Sequence, residues 1–228
     1  EAAFSPQAAY LHYTSNETVD GLQFHHVPGI AGVPLVCDMS SDFLSHPIAP
    51  ARFDLIYAHA QKNLGPAGVT VVILRRALLE NVPPGLPEYF DYRAHVAAGS
   101  LYNTPPVFAI YVTLLVTRWL LHDIGGLEKM AAINHAKAAR LYRALDESDG
   151  FYQGWVAREH RSLMNVTFRL ADGELEKKFL REAEAEGFSG LPGHRALGGV
   201  RASLYNAMTL DAVEALVAFM AHFRQRHG

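Results

Sequence analysis

Between residues 8 and 76 short apolar runs alternate with turn residues: Ala8 to Tyr13, Pro34 to Asp38, Asp54 to Ala58 and Val69 to Leu74. They are rich in Val, Ile and Leu without strict alternation, which is the pattern of strands covered on both faces, so they are expected to pair in one sheet. The Gly29-Ile30-Ala31-Gly32 segment is too short and Gly-rich for a helix, and Ala77 to Asn81 allows one brief turn. Local helices to cover the sheet are therefore scarce, and the run that begins at Val107 is expected to supply part of the cover.

From Asn81 to Gly99 the chain is dense in Pro, Gly and aromatic residues, which predicts an ordered excursion with little regular structure. Asn103 and Thr104 are capping types ahead of Pro105-Pro106, so a helix start is expected there. Val107 to Asp123 and Leu127 to Ser148 read as two helices broken by Gly125-Gly126. In the second, Met130, Ile133, Ala136, Leu141 and Leu145 can share a buried face, with Lys129, Lys137, Arg140 and Arg143 in solvent. Farther on, Leu163 to Leu170 alternates as a strand, Asp172 can cap a helix reaching Glu186, and Gly198 to Tyr205 reads as another strand. Thr209 caps a last helix whose stripe is Leu210, Val213, Leu216, Val217 and Met220. The Gly pair is the expected domain boundary, dividing 1–125 from a small α+β unit over 126–228.

With 228 residues, half of them hydrophobic, the chain can bury one large or two modest cores. A net charge of −3 without a long basic run argues against nucleic acid or an anionic membrane surface as partner. Val107 to Leu121 is the most apolar window, yet it is shorter than a span of roughly 20 residues and contains Arg118, so a buried helix is expected. Cys37 stands alone inside an apolar run, as a core thiol does in a reducing compartment, and a cytoplasmic location is expected. Of the twelve His, none are spaced His-x-x-x-His, and no metal site is expected.

The chemistry is expected between Tyr57 and Gly68, where Lys62 stands between an apolar strand and a Gly-Pro-Ala-Gly turn. Desolvation at a strand end disfavours an ammonium and lowers its pKa, and a lysine so tuned is a good amine nucleophile towards an aldehyde such as pyridoxal phosphate. That cofactor also needs a carboxylate at its pyridine nitrogen, and Asp38, after the run Val33 to Cys37, should stand at the end of a neighbouring strand. On this pattern alone, a solvated loop lysine and a capping aspartate remain the reading to prefer. Gly193-His194-Arg195 through Arg201 gathers two guanidiniums and an imidazole among glycines, a loop suited to an anion or simply a basic surface loop.

Five segments in order decide between these readings: Asn16-Glu17-Thr18, Asp38-Met39-Ser40-Ser41, Ala60-Gln61-Lys62-Asn63-Leu64-Gly65-Pro66-Ala67-Gly68, Tyr102-Asn103-Thr104-Pro105-Pro106, and Gly193-His194-Arg195 through Arg201-Ala202-Ser203. Their order and spacing resemble the phosphoserine aminotransferase family over essentially the whole chain. The resemblance implies an α/β fold. It would consist of the C-terminal part of a fold-type-I pyridoxal-phosphate large domain, with an incomplete, mainly parallel sheet, followed by a small α+β domain. An upstream part of the family's chain, carrying the residue that stacks on the cofactor ring and part of its phosphate site, is expected to be missing. The chain opens Glu1-Ala2-Ala3 without Met.

The resemblance further implies pyridoxal 5'-phosphate held as a Schiff base by Lys62, with Thr18, Asp38 and Gln61 as further cofactor contacts. Asn103 and Thr104 would reach the cofactor phosphate of a partner subunit, in a homodimer with shared active sites. Arg201 resembles the residue that holds the substrate α-carboxylate, and His194 and Arg195 the pair at its side-chain phosphate. The implied reaction joins 3-phosphohydroxypyruvate and glutamate with phosphoserine and 2-oxoglutarate, in serine and pyridoxine biosynthesis. Two alternatives stand beside it: an inactive fragment of that enzyme, or a related aminotransferase or desulfurase with another substrate.

Overall fold

The computed structural model describes residues 5, 7–29 and 31–228. The opening Glu1-Ala2-Ala3 and Ile30 of the Gly-rich segment lie outside the described residues. The first strands are β1 (Leu11–Thr14), the short pair β2 (Asn16–Glu17) and β3 (Leu22–Gln23), β4 (Leu35–Asp38), β5 (Leu55–His59) and β6 (Thr70–Leu74). All four predicted runs join one sheet in the order β1-β4-β5-β6, with β1, β4 and β5 parallel and β6 antiparallel. The register places Asp38 between Thr14 on one side and Tyr57 on the other, at the shared C-terminal edge of the parallel strands. Leu35, Cys37, Ile56, Ala58, Ala60 and Leu64 form the core of this half. Burying each large aliphatic side chain there contributes about 2 kcal/mol.

The helices are α1 (Tyr92–Ala97), α2 (Val107–Arg118), α3 (Leu127–Asp146), α4 (Gly173–Ala185) and α5 (Leu210–His227). They are joined by strands β7 (Tyr152–Gln153), β8 (Asn165–Leu170) and β9 (Val200–Ser203), an antiparallel three-stranded sheet. A second core joins α3, α4 and α5 to this sheet through Leu141, Val166, Phe168, Phe179, Val200, Met220 and Phe223. Its rings meet edge to face, with Phe179 at 5.1 Å from Phe223 and 6.0 Å from Phe168. Asp172 caps α4 through the N–H groups of Glu174 and Leu175, and Thr209 caps α5 through that of Ala212, both as the sequence implies.

Several expectations are corrected. Residues 81–99 contain α1, started by Asp91 accepting from the Arg93 N–H. Neither Asn103 nor Thr104 caps α2, which begins after Pro106 with no side-chain cap. The α2 helix does not cover the sheet. Its Val112 and Thr113 approach the Gly65 turn instead, while most of its surface is exposed, Phe108 to 73%. It continues through a π-helical turn, Trp119–Ile124, giving a helix of 18 residues with mean hydropathy 1.5 that reaches the length of a short bilayer span, Arg118, His122 and Asp123 included. The expected buried helix is thus largely uncovered within this chain, because its apolar faces outnumber the surfaces that the chain offers them.

On α3 the buried positions are Met130, Asn134, Lys137, Ala138, Leu141 and Leu145, while Ala136 is exposed. Lys137, expected in solvent, has no exposed surface. Its Nζ donates to the carbonyls of Leu204, Tyr205 and Met208 at 3.0, 2.9 and 3.0 Å, which makes the burial tolerable. On α5 the stripe shifts to Val213, Leu216, Val217, Phe219, Met220 and Phe223, leaving Leu210 exposed.

Candidate active site

Lys62 stands in the tight turn after β5, closed by the Leu64 and Gly65 N–H groups on the Ala60 carbonyl at 3.0 and 2.8 Å. It is half-buried, and its Nζ donates to Thr18 Oγ1 at 2.5 Å. Burial lowers the Lys62 pKa, opposed by the Asp38 charge and reinforced by the nearby Arg201 guanidinium. The result is an amine shifted towards its nucleophilic form. A cavity of 380 Å³ beside it is lined by Asn63, Gly65, Leu115, Val116, Trp119 and Ala207.

Asp38 ends β4, and its Oδ1 accepts the Ser40 N–H at 2.8 Å, a turn that fixes the carboxylate at the sheet edge. Next to it Tyr57 shares a hydrogen bond of 3.0 Å with His12 Nε2, and its pKa is raised by burial and by Asp38. Thr18 lies in the turn between β2 and β3, whose far end is fastened to the C-terminal half. Both Thr167 Oγ1 and Trp155 Nε1 donate to the Asp20 carbonyl, at 2.8 and 3.1 Å.

Arg201 enters from β9, its Nη1 3.5 Å from the Thr18 carbonyl, with Nε buried and without a hydrogen-bond partner among the described residues. A buried guanidinium N–H left open costs free energy that an incoming anion would recover. The loop before it is tightly folded: a Cβ on Gly193 would collide with the Gly198 carbonyl oxygen, and Gly199 has φ +73° with Trp155 packed on it. His194 and Arg195 stand in this loop, His194 partly exposed with Nδ1 accepting from Ala196 N–H, and Arg195 exposed.

The chain therefore brings together Lys62, Thr18, Asp38 and Arg201. Gln61 is next to Lys62 but exposed, and no side-chain hydrogen bond holds it among the described residues. Asn103 and Thr104 are exposed at the start of α2, Asn103 Nδ2 donating to the Thr104 carbonyl, and no hydrogen bond joins them to the Lys62 group among the described residues.

Supporting groups were not read from sequence. Asp42 is buried, with Oδ1 accepting from Ser15 Oγ at 2.5 Å and Oδ2 from Gln23 Nε2 at 3.1 Å. Burial pushes its pKa up to about 6, against those hydrogen bonds. Glu176 accepts the Gly199 N–H at 3.1 Å, and Arg169 donates to the Leu197 carbonyl at 2.8 Å while lying 5.0 Å over the Trp155 ring. Asp42, four residues after Asp38 in a Ser-rich turn, could have been suspected; Glu176 and Arg169 reach the loop only through tertiary folding.

Comparison with known proteins matches residues 1–216 to the family described as aminotransferase class-V. The chain is 57% identical over 224 residues to the phosphoserine aminotransferase of Laribacter hongkongensis, covering 98% of this chain and 62% of that protein. Among solved structures it resembles phosphoserine aminotransferase from Bacillus circulans subsp. alkalophilus, at TM-score 0.96 and 52% identity over 99% of this chain and 62% of that one. The pyridoxal-phosphate-bound phosphoserine aminotransferase of Trichomonas vaginalis follows at TM-score 0.90 and 40% identity, covering 96% and 62%. The chain thus spans about 62% of the length of the relatives it matches.

Proposed function

The chain belongs to the class-V aminotransferases, and from that premise we propose that it serves as a phosphoserine aminotransferase. It would move the amino group between phosphoserine and 2-oxoglutarate, with 3-phosphohydroxypyruvate and glutamate as the other pair, in serine biosynthesis. The observation that carries this reading is the half-buried Lys62, its amine pKa lowered and its Nζ held by Thr18, in the field of both Asp38 and Arg201.

These residues fit pyridoxal 5'-phosphate. Lys62 offers a primary amine tuned for a carbonyl carbon, Asp38 an anion for a protonated ring nitrogen, and the open Arg201 Nε a donor for a substrate carboxylate. When bound, the cofactor supplies an electron sink that makes the substrate Cα–H acidic. The Lys62 amine would then carry the proton between the substrate Cα and the cofactor's carbonyl carbon, a role that needs a neutral amine and a fixed direction, which burial and the Thr18 hydroxyl provide. Arg201 orients the α-carboxylate, and His194 and Arg195 receive the side-chain phosphate at the loop held by Glu176 and Arg169. Gln61 completes the cofactor side of the Lys62 turn.

A homodimer suits the exposed apolar surface of α2 and the exposed Asn103 and Thr104 at its start, which would then serve the cofactor phosphate of the partner subunit. The division at Gly125-Gly126 is supported by two separate hydrophobic cores, one drawn from Leu35 to Leu64 and the other from Ala138 to Phe223. A cytoplasmic location suits the lone buried thiol of Cys37, which burial pushes up to about 12.

The test is to add pyridoxal phosphate, reduce with borohydride and map the modified residue. Label concentrated on Lys62, followed by amino transfer from phosphoserine and not from serine, supports the reading. Label spread over Lys129, Lys177 and Lys178 would refute it.

A further inference from the structure

Directly after Lys62, the buried amide of Asn63 is used on three sides. Its Oδ1 accepts the Asn206 backbone N–H at 3.0 Å, and its Nδ2 lies 3.4 Å from the Ser41 carbonyl and 3.6 Å from Met164 Sδ. Ser41 follows Asp38 by three residues, and Asn206 follows Arg201 by five. One side chain thus ties the turn that carries the amine to the segments that carry the carboxylate and the guanidinium.

We propose that Asn63 is a positioning residue for Lys62, setting where the lysine stands relative to Asp38 and Arg201. This rests on the function proposed above. Among the described residues, the hydrogen bonds from 60–65 to the C-terminal core all run through Asn63. The remaining hydrogen bonds of the turn run within it to Ala60, from the Ala60 N–H to the Val69 carbonyl and from Lys62 itself to Thr18, so among the described residues no hydrogen bond other than those of Asn63 ties the turn to the C-terminal core.

The surface that receives Asn63 is itself held by hydrogen bonds. Lys137 gathers three carbonyls of the segment 204–208, as described above. Asn206 also donates through Nδ2 to the Leu44 carbonyl at 2.9 Å and accepts through Oδ1 from Asn134 Nδ2 at 2.9 Å. Asn134 and Lys137 are three residues apart on α3 and therefore share a face, so one helix holds both ends of the segment that Asn63 meets. Apart from Asn134 Oδ1, which is buried without a hydrogen-bond partner among the described residues, the polar groups named here bond specific partners, and such directional bonds specify one arrangement more sharply than apolar packing does.

The lowered Lys62 pKa depends on that arrangement, since burial and Arg201 lower it while Asp38 raises it. Releasing the turn admits water to the amine and returns it towards ordinary lysine behaviour. A purely structural asparagine would affect stability and leave the amine's titration in place.

The experiment follows the rate of pyridoxal phosphate attachment to Lys62, trapped with borohydride and read by peptide mapping, against pH. It compares the wild-type chain with Asn63→Ala, and with the smaller polar replacement Asn63→Ser should the alanine variant fail to fold cooperatively. The expected result is a midpoint moved to higher pH and a rate at neutral pH lowered about ten-fold, with Lys129, Lys177 and Lys178 unchanged. A folded variant that labels Lys62 with the wild-type midpoint and rate overturns the positioning role. Absence of Lys62 label in the wild-type chain instead refutes the functional reading, and the inference falls with it.

Discussion

Thr18 and Lys62 are 44 residues apart in sequence, yet the lysine Nζ donates to the threonine hydroxyl at 2.5 Å across the C-terminal edge of the sheet. The contact exists because the β2–β3 turn folds over the ends of β4 and β5 and is tied down at Asp20. Thr18→Val keeps the shape and removes the acceptor. A hydrogen bond that directs the neutral amine contributes about 0.5–1.5 kcal/mol, so cofactor attachment at Lys62 should slow by roughly two- to ten-fold. Lys62→Ala should abolish both the trapped label and amino transfer, and turnover retained in that variant would remove the central assignment.

The two arginines should separate by substrate. Arg201, with its buried open Nε, is expected to serve the α-carboxylate common to phosphoserine and glutamate, whereas exposed Arg195 is expected to serve only the phosphate. Arg201→Ala should raise KM for both substrates by roughly 10- to 100-fold, and Arg195→Ala for phosphoserine alone. Steady-state kinetics with each amino donor reads the difference. Equal effects of Arg195→Ala on both donors would contradict its assignment.

The α2 face provides a third test. Phe108, Tyr111, Leu114 and Leu115 are exposed on one short helix, an apolar surface of the kind that marks an interface. If it packs against a second copy, sedimentation velocity should show a dimer. Phe108→Glu, which would bury a charge at a cost of several kcal/mol, should weaken that dimer about 100-fold or more. A wild-type chain that remains monomeric at high concentration would refute the homodimer.

The strands were legible as continuous apolar runs, although the cover expected on both faces is not there among the described residues, where buried positions alternate in β4 and β5 and β1 and β6 have none. Asp38 and Lys62 could be placed because each follows such a run. What was not legible depends on partners remote in sequence. Lys137 reads as a surface charge until the three carbonyls 67 to 71 residues downstream are brought onto it. The hydrophobicity of α2 shows that the helix needs cover, not which surface supplies it. The β2–β3 pair is two residues per strand, too short for any periodicity, although its turn carries Thr18. Arg201 could be named from its motif, but its approach to Thr18 follows only from the packing of β9 against the hairpin.

Asp42 gives a prediction for pH. Its carboxyl is buried and its pKa is raised from 3.8 to about 6. Between these values the folded chain holds a proton that the unfolded chain releases, so this group's contribution to stability is complete below about pH 4 and is lost as pH rises through 6. A shift of that size corresponds to about 3 kcal/mol. Asp42→Asn cannot titrate. The difference in unfolding free energy between wild type and variant, measured by urea titration at a series of pH values, should therefore change by about 3 kcal/mol across this window, in favour of the variant at the upper end. Any change in the hydrogen bonds to Ser15 and Gln23 adds a constant offset, separable because it does not vary with pH. A difference that stays flat from pH 4 to 7 would show that Asp42 ionises at an ordinary pKa in the folded chain.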